Sequence, residues 1–385
     1  MQDILQFKMS GSLRFGAGAL AQLPDELARF PEGPMLIVTD PGIVACGLLD
    51  TLRDTLAEVD RELAVFDQIE PDPSVETAAA CAGAAKQAGA AVLIGFGGGS
   101  SIDMAKVAAV LATHGGSPLD YAGIGQVPEP GLPVVAVPTT AGTGSEVTPI
   151  AVLSDKAAHL KKGIVSDHLY PALALVDPEL MAGLPPKVTA YTGMDALTHC
   201  IEAYTNRFSH PFIDAFAERG IRLIGRSIRR AWCDGSHLDA RSEMAMGSLY
   251  GGLCLGSVNT AAVHALAYPL GGTFNIPHGL ANTLLLPHVM AVNLVADLAK
   301  YARVAELLGE PVEGLSQRDA ALASVEAVRQ LAADLGMDLR LREFGIEESD
   351  IPAMAEGAMK VTRLMNNNPR CLTEEDCAAI YQAAY

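Results

Sequence analysis

AAVLIGFGGGSSIDMAK, residues 90–106, joins an apolar run, three successive glycines and the start of a helix. This order is typical of α/β proteins that bind phosphate groups. Glycine lets the backbone approach a phosphate closely, and the first N–H groups of the helix attract an anion. The cluster is not the GxGxxG fingerprint, because Ser100 follows Gly99. A tight turn without a ligand is the alternative interpretation.

Further strand-like runs lie on both sides of this stretch, several of them continuously apolar as buried parallel strands are. They are residues 13–16, 35–38, 63–66, 134–137, 151–153, 161–164 and 173–176. Helical patterns alternate with them, from about 43 to 59 and again from about 74. The alternation predicts an N-terminal α/β domain over residues 1–185, a nucleotide-binding domain built on a Rossmann-like parallel sheet.

Polar residues follow two of these runs, at the end of a parallel sheet where ligands bind. Asp40 follows run 35–38, and PTTAGTGSEVT (138–148) follows run 134–137. We expect Asp40 at the adenosine ribose of a dinucleotide and the glycine loop at its pyrophosphate, although the acidic residue here precedes the glycines. The alternative for 138–148 is hydroxyls bonded only to their own backbone. For Lys161 the alternatives are contact with the nicotinamide ribose and a solvated charge.

After Leu184-Pro185-Pro186 strand-like runs become scarce, and long helical patterns continue to Tyr385. This change predicts a second, all-helical domain over residues 186–385. A length of 385 residues suits two domains.

The helical half carries a candidate metal cage. Asp195 and His199 are four residues apart in DALTH, so on a helix they share one face. His264 lies in an apolar run where an imidazole needs a partner. His278 follows Ile276-Pro277 and precedes Gly279, a backbone break that we expect to aim its side chain at the site. One carboxylate and three nitrogens suit Fe, Zn, Mn or Co better than Ca or Mg. A surface Asp–His hydrogen bond is the alternative. A cleft between the halves would bring cage and nucleotide together.

Composition excludes several classes of partner. The net charge of −18 argues against nucleic acid and anionic membranes, which select basic surfaces. No early segment has the pattern of a secretion signal, and no uninterrupted apolar run reaches membrane-spanning length. The seven cysteines are scattered without a CxxC pair, which predicts a reduced, cytoplasmic chain.

Four long motifs together resemble one known family. GGGSSIDMAK (97–106), PTTAGTGSEVT (138–148), DALTHCIEAY (195–204) and HALAYPLGGTFNIPHG (264–279) occur in the order found in iron-dependent, group III alcohol dehydrogenases. The likeness extends to TDPG (39–42) and NNPR (367–370). It implies the dehydroquinate synthase-like fold of that family, with an α/β nucleotide-binding domain followed by an all-helical metal domain, and it implies homodimers or higher homo-oligomers.

The resemblance also implies roles for particular residues. The metal ligands it implies are Asp195, His199, His264 and His278. The cofactor-contacting positions it implies are Asp40, Gly97, Gly98, Gly99, Ser100, Asp103, Thr139, Thr140, Ala141, Gly142, Thr143, Val152 and Lys161. Asp40 matches the position whose carboxylate favours NAD over NADP. Two residues depart from the pattern: Tyr268 replaces a histidine that relays a proton in many members, and Asp72 replaces an asparagine found beside the substrate in some.

The leading hypothesis is therefore a metal-dependent oxidoreductase that transfers a hydride between NAD(H) and a small alcohol, aldehyde or ketone. We expect Fe²⁺ as the metal, with Zn²⁺ or Mn²⁺ as alternatives, and Tyr268 as a catalytic residue through its hydroxyl. The alternatives are a zinc polyol dehydrogenase of the glycerol type, a metallohydrolase acting on a phosphate-bearing substrate, and a nucleotide-binding assembly protein. The sequence does not choose the alcohol.

Overall fold

The computed structural model describes residues 4–156, 160–337 and 340–385. They form two compact units. The α/β unit comprises Met9–Thr140 and Gly144–Gly183. The helical unit comprises Ala141–Thr143, Leu184–Tyr385 and the described residues up to Lys8. The first unit contains a parallel sheet with helices and the second contains the long helices, which confirms the predicted fold class.

The strands of the α/β unit form two sheets. They are β1 (Ser12–Phe15), β2 (Met35–Val38), β3 (Leu63–Phe66), β4 (Val92–Gly97), β5 (Gly123–Ile124), β6 (Val134–Pro138), β7 (Ile150–Asp155), β8 (Leu160–Val165) and β9 (Leu173–Val176). Six of them form an all-parallel sheet in the order β1-β9-β6-β4-β2-β3. The strands predicted near 151–153 and 161–164 are β7 and β8, which pair antiparallel in a smaller sheet with β5. The few residues between β7 and β8 are too short for the crossover that a parallel pair requires.

The described residues of the α/β unit form five α-helices: α1 (Leu23–Leu27), α2 (Pro41–Ala45), α3 (Leu48–Thr55), α4 (Val75–Gln87) and α5 (Gly99–His114). The single helix predicted over 43–59 is wrong, because α2 and α3 are separated at Gly47. Gly47 has a φ of 81°, in the left-handed region that ends helices and that glycine adopts without strain.

Both faces of the six-stranded sheet are buried. Successive strand side chains point to opposite faces, so Leu36 and Val38 pack in one apolar cluster, which includes Cys81 of α4. Met35 and Ile37 pack in a second apolar cluster on the other face. Continuous apolar runs in the sequence are the result, since neither face of these strands is solvated.

A buried lysine connects α5 to the segment that follows β6. Lys106 Nζ donates to Ser145 Oγ at 2.8 Å, to the Thr148 carbonyl at 3.0 Å and to the Ile150 carbonyl at 3.0 Å. Burial lowers the pKa of Lys106 to about 8, although the charges of Asp103 and Glu146 oppose that shift. Burial likewise raises the pKa of Glu146 to about 7. The polar sequence after β6 is therefore held by charges inside the unit.

Glu146 makes the stability of the protein depend on pH. Its pKa is raised from 4.5 to about 7, so between these pH values the unfolded chain releases a proton that the folded chain retains. The Glu146 carboxyl thus makes the fold less stable as pH rises through this window. We expect Glu146→Gln to gain stability over the natural protein between pH 4.5 and 7, by about 2–3 kcal/mol at the upper end. Urea unfolding at pH 5 and pH 7.5 measures this; a difference that does not change with pH would contradict it.

The described part of the helical unit consists of helices and connecting segments. The helices are α6 (Pro186–Thr205), α7 (Pro211–Cys233), α8 (Leu238–Val258), α9 (Ala262–Phe274), α10 (His278–Asn293), α11 (Leu298–Leu308), α12 (Gln317–Asp334), α13 (Ile351–Met359), α14 (Thr362–Met365) and α15 (Glu374–Ala384). A glycine lets α6 and α7 pack closely, because a Cβ on Gly220 of α7 would lie only 2.4 Å from Cys200 Sγ of α6.

Part of this unit is apolar enough to resemble a membrane span. The stretch His278–Ala296 passes by length and hydropathy, as does the bent pair formed by α8 and α9. However, 67% of the His278–Ala296 window is buried inside the protein. Packing in a helical core accounts for this apolar character, because a helix that is hydrophobic all round is buried in protein or in a membrane.

Candidate metal centre and nucleotide loop

Four side chains predicted to form a cage converge in the helical unit. Asp195 and His199 lie one turn apart on α6, His264 is in the first turn of α9, and His278 begins α10. Asp195 Oδ1 lies 3.8 Å from His199 Nε2 and 3.7 Å from the Nε2 atoms of both His264 and His278. The first three residues are buried, and their ligand atoms all lie within 4.8 Å of one another.

This arrangement fits a divalent transition metal. Bonds of about 2.0–2.2 Å in a tetrahedral site place neighbouring ligand atoms roughly 3.4 Å apart, slightly closer than the 3.7–3.8 Å separations here. The donor set of one oxygen and three nitrogens suits Fe, Zn, Mn or Co. His278 is the most accessible of the four, with 32% of its side chain exposed. The surface-pair interpretation of Asp195 and His199 is thereby ruled out, since both are buried.

The charged groups at the centre shift the pKa values of one another. Burial alone would raise the pKa of Asp195, but the imidazoles of His199, His278 and His264 outweigh it and hold the pKa below its usual range. Burial lowers the pKa of His199. His264 differs, because Glu202 and Asp195 together outweigh burial and raise its pKa to about 9. Carboxylates on two sides of His264 thus create a strongly negative position.

Two residues at the centre, Glu202 and Asn282, were missed by the sequence reasoning. Glu202 Oε2 lies 2.6 Å from His264 Nδ1. Asn282 Nδ2 donates to Asp195 Oδ1 at 2.7 Å and lies 3.1 Å from His264 Nε2. Helical spacing could have indicated both: Glu202 is three residues after His199, and Asn282 is four residues after His278.

Gly279 lets α10 approach α6. A Cβ at this position would lie 2.1 Å from the Tyr191 carbonyl oxygen and 3.4 Å from Asp195 Cβ. The chain breaks before His278, between the end of α9 at Phe274 and the start of α10, and Gly279 itself lies in the first turn of α10. Glycine is required at position 279 because any side chain there would collide with α6. The close approach brings His278 to Asp195.

We expect Gly279→Ala to displace α10 from α6 and to abolish tight binding of a divalent cation, because the new methyl group would overlap backbone that cannot move away. The unfolding free energy should fall by about 1–3 kcal/mol. Gly83→Ala is the matched control: Gly83 is an exposed glycine of α4 with nothing within 4 Å of the added Cβ, so that variant should bind metal normally. Metal content after dialysis and thermal unfolding measure both effects. Full metal content in Gly279→Ala would contradict the prediction.

The glycine loop of the α/β unit has the geometry expected of an anion site. Gly97 ends β4 with a φ of 151°, and Gly98 precedes the first turn of α5, in which Gly99 and Ser100 lie. Glycine has no side chain to cap a helix, so the first N–H groups of α5 can bind an anion. Thr140 lies beside the loop, with its Oγ1 3.6 Å from the position of a Cβ on Gly98.

Asp40 lies next to this loop and also caps a helix. Its Oδ1 accepts from the backbone N–H groups of Gly42 at 2.9 Å and Ile43 at 3.1 Å, at the start of α2. Its Oδ2 accepts from Ser101 Oγ at 3.4 Å, and a Cβ on Gly97 would lie 3.1 Å from that oxygen. Asp40 is half-buried. The carboxylate therefore stands beside the glycines with one oxygen only weakly engaged.

Other predicted cofactor residues bind protein groups. Asp103 accepts from Ser145 Oγ at 2.5 Å and from the Val152 N–H at 2.9 Å, so its carboxylate ties α5 to β7. Lys161 Nζ forms an ion pair with Asp72 Oδ1 at 2.5 Å. The solvated-charge interpretation of Lys161 is wrong, because only 9% of its side chain is exposed.

The remaining predicted residues are divided between the units. Thr139 is buried at the end of β6 in the α/β unit. Ala141, Gly142 and Thr143 belong to the helical unit, where a Cβ on Gly142 would lie 2.8 Å from Thr192 Cβ of α6. Tyr268 is half-buried on α9, one turn after His264 and on the same helix face.

Comparison with known proteins agrees with the geometry. The pattern for "Iron-containing alcohol dehydrogenase" matches residues 10–178, and that for "Fe-containing alcohol dehydrogenase family, C-terminal" matches residues 189–385. Long-chain-alcohol dehydrogenase 1 of Geobacillus thermodenitrificans is 41% identical over 96% of this chain and 94% of its own length. The chain is an oxidoreductase that belongs to the iron-containing alcohol dehydrogenase family.

Two solved structures show the same fold over the whole chain. A 1,3-propanediol oxidoreductase superimposes with a TM-score of 0.97 at 39% identity, covering 100% of both chains. Sulfoacetaldehyde reductase from Bifidobacterium kashiwanohense, solved in complex with NAD⁺, superimposes with a TM-score of 0.89 at 30% identity, covering 100% of this chain and 99% of that one.

Proposed function

We propose that the chain transfers a hydride between NAD(H) and a small alcohol or its aldehyde or ketone, with Fe²⁺ held by Asp195, His199, His264 and His278. The convergence of these four side chains on one point, with Asp195, His199 and His264 buried, is the observation that carries the proposal. The relatives support a dehydrogenase over the metallohydrolase alternative, because their names describe alcohol, diol and aldehyde oxidoreductases.

The residues at the centre would have different roles in the reaction. A divalent cation bound there supplies Lewis acidity that lowers the pKa of an alcohol and polarises a carbonyl. Asp195 and the three imidazoles would hold that cation, and Asp195, His199 and His264 are buried, where charges interact more strongly than in water. His278 is the most exposed of the four, with 32% of its side chain exposed, so substrate would approach from its side. We assign Tyr268, one turn after His264, the transfer of the alcohol proton through its hydroxyl.

The α/β unit supplies the proposed NAD site. The N–H groups at the start of α5 would bind the pyrophosphate, together with Gly97 to Ser100 and the segment Thr139 to Thr143. Asp40 would accept hydrogen bonds from the adenosine ribose. Asp103 positions Val152 from within the unit. Lys161, held by Asp72, would stand near the nicotinamide ribose.

We also propose a domain boundary near residue 185, which the division of the chain into compact units at Gly183 and Leu184 supports. We propose a homodimer or higher homo-oligomer, which the position of β1 at an edge of the six-stranded sheet supports, because an edge strand presents unpaired backbone groups. Light scattering after size exclusion measures this. We propose a cytoplasmic location, which seven free cysteines support.

Removing the metal should abolish the reaction. We expect NADH oxidation with a short aldehyde to disappear after chelation and to return on anaerobic addition of Fe²⁺. Asp195→Asn should lower activity by about 100-fold or more and lower metal content, because a ligand charge is lost. Asp50→Asn, at an exposed site on α3, is the matched control and should behave as the natural protein. Unchanged activity in demetallated enzyme would overturn the metal role. Zinc retained in place of iron, together with glycerol turnover, would favour the polyol dehydrogenase.

Asp40→Asn should change cofactor preference without unfolding α2. Asparagine keeps the oxygen that accepts from the Gly42 N–H, and it is as good a helix N-cap as aspartate. The substitution removes the charge that would repel a ribose 2′-phosphate. We expect kcat/KM for NADPH to rise about tenfold relative to NADH, equivalent to about 1.4 kcal/mol. The same ratio for both proteins, with equal Tm values, would contradict a ribose contact at Asp40.

A further inference from the structure

Glu202 is a buried carboxylate on the same face of α6 as Asp195 and His199. The three residues follow one another at intervals of four and three, so they form one row along the helix. Only 5% of the Glu202 side chain is exposed. Among the described residues, no lysine or arginine forms an ion pair with it. A buried carboxylate is costly unless it is paired and hydrogen-bonded, so its retention here calls for compensating contacts.

Those contacts all lie at the start of α9. Glu202 Oε1 accepts from the Val263 N–H at 2.6 Å, and Oε2 lies 2.6 Å from His264 Nδ1. The residue before α9, Ala261, has no side chain able to cap the helix. Glu202 therefore supplies an N-terminal cap to α9 from another helix and, with its second oxygen, contacts the histidine in the first turn of α9.

The chemistry of the two groups determines where the His264 proton lies. An ionised carboxylate only accepts hydrogen bonds, so a 2.6 Å contact requires the proton on Nδ1. In the neutral ring, Nε2 then carries the lone pair, and Nε2 is the atom that lies 3.7 Å from Asp195 Oδ1. The opposite tautomer would place two acceptors against each other and would leave no lone pair toward the metal centre.

We propose that Glu202 is a positioning residue that holds His264 in its metal-binding tautomer and orientation. The inference rests on the proposed function, because it assumes that the four-residue centre binds a divalent cation. Glu202 and Asp195 together supply two negative charges, which balance a divalent cation among neutral histidines. Carboxylates that accept from a metal-bound histidine increase metal affinity in this way.

Glu202→Gln tests the proposal because glutamine cannot satisfy both contacts. If its oxygen accepts from the Val263 N–H, its NH₂ group faces His264 Nδ1 and requires the proton on Nε2. If its oxygen faces Nδ1 instead, the NH₂ group faces the Val263 N–H, and two donors meet. We expect the first arrangement, with cation affinity reduced by about 10–100-fold.

The measurements are the Kd of Zn²⁺ by competition with a chelator and the ¹⁵N chemical shifts of His264 in zinc-loaded protein. Glu218→Gln is the matched control: Glu218 accepts from the Tyr204 hydroxyl at 3.0 Å and from Arg303, and it does not contact the four ligands. That variant should keep the Kd of the natural protein. Glu202→Asp, which keeps the carboxylate on a shorter side chain, should recover part of the lost affinity.

Two results would overturn the inference: a Kd for Glu202→Gln within twofold of the natural protein, or an Nε2-protonated His264 in the natural zinc-loaded protein. The second measurement uses the natural protein, so it tests the inference even if Glu202→Gln fails to fold. Failure of the natural protein to bind Zn²⁺ would instead refute the proposed metal function, and with it the premise of this inference.

Discussion

Asp195 Oδ1 lies 3.7–3.8 Å from three histidine nitrogens inside the helical unit, and the surrounding helices must pack so as to maintain that convergence. Three of these four polar groups are buried, and buried polar groups are unfavourable unless each has partners. Three helices bring the groups together as partners for one another: α6 carries two of them, and α9 and α10 carry one each. The packing of α10 on α6 is possible because Gly279 has no side chain to collide with the Tyr191 carbonyl.

A second layer of contacts determines how the four groups point. Glu202 fixes the His264 ring and the start of α9 together, and Asn282 donates to the Asp195 carboxylate from the second turn of α10. Both residues are buried. The Asn282 side-chain oxygen has no hydrogen-bond partner among the described residues, so its amide nitrogen is the atom committed to the centre. The centre is thus built from interlocking contacts rather than from four independent ligands.

In the α/β unit, too, charged side chains hold helices and loops in place. Asp40 caps α2 while standing beside the glycine loop, and Asp103 ties α5 to β7 from within the segment that resembles a cofactor motif. Four oxygen atoms of the residues after β6 lie within hydrogen-bonding distance of Lys106 Nζ, which has three N–H groups to share among them. Residues of a motif therefore need not all contact a ligand, since some of them support the loops that would do so.

The amino-acid sequence by itself determined the fold class, because buried parallel strands read as continuous apolar runs and glycine clusters mark the turns between strand and helix. It also indicated the four side chains of the candidate metal centre, of which Asp195 and His199 stood out by their helical spacing. It did not reveal the division of α2 from α3 or the antiparallel pairing of β7 with β8.

Only the tertiary structure decided how His264 and His278 reach Asp195, and that Glu202 and Asn282 accompany them. These residues are separated from Asp195 by 7 to 87 positions in the chain. Local periodicity reports which face of one helix a residue occupies, but the distance between two helices depends on the side chains that separate them. For α6 and α10 the distance is short because Gly279 has no Cβ, so the two helix backbones come into contact there.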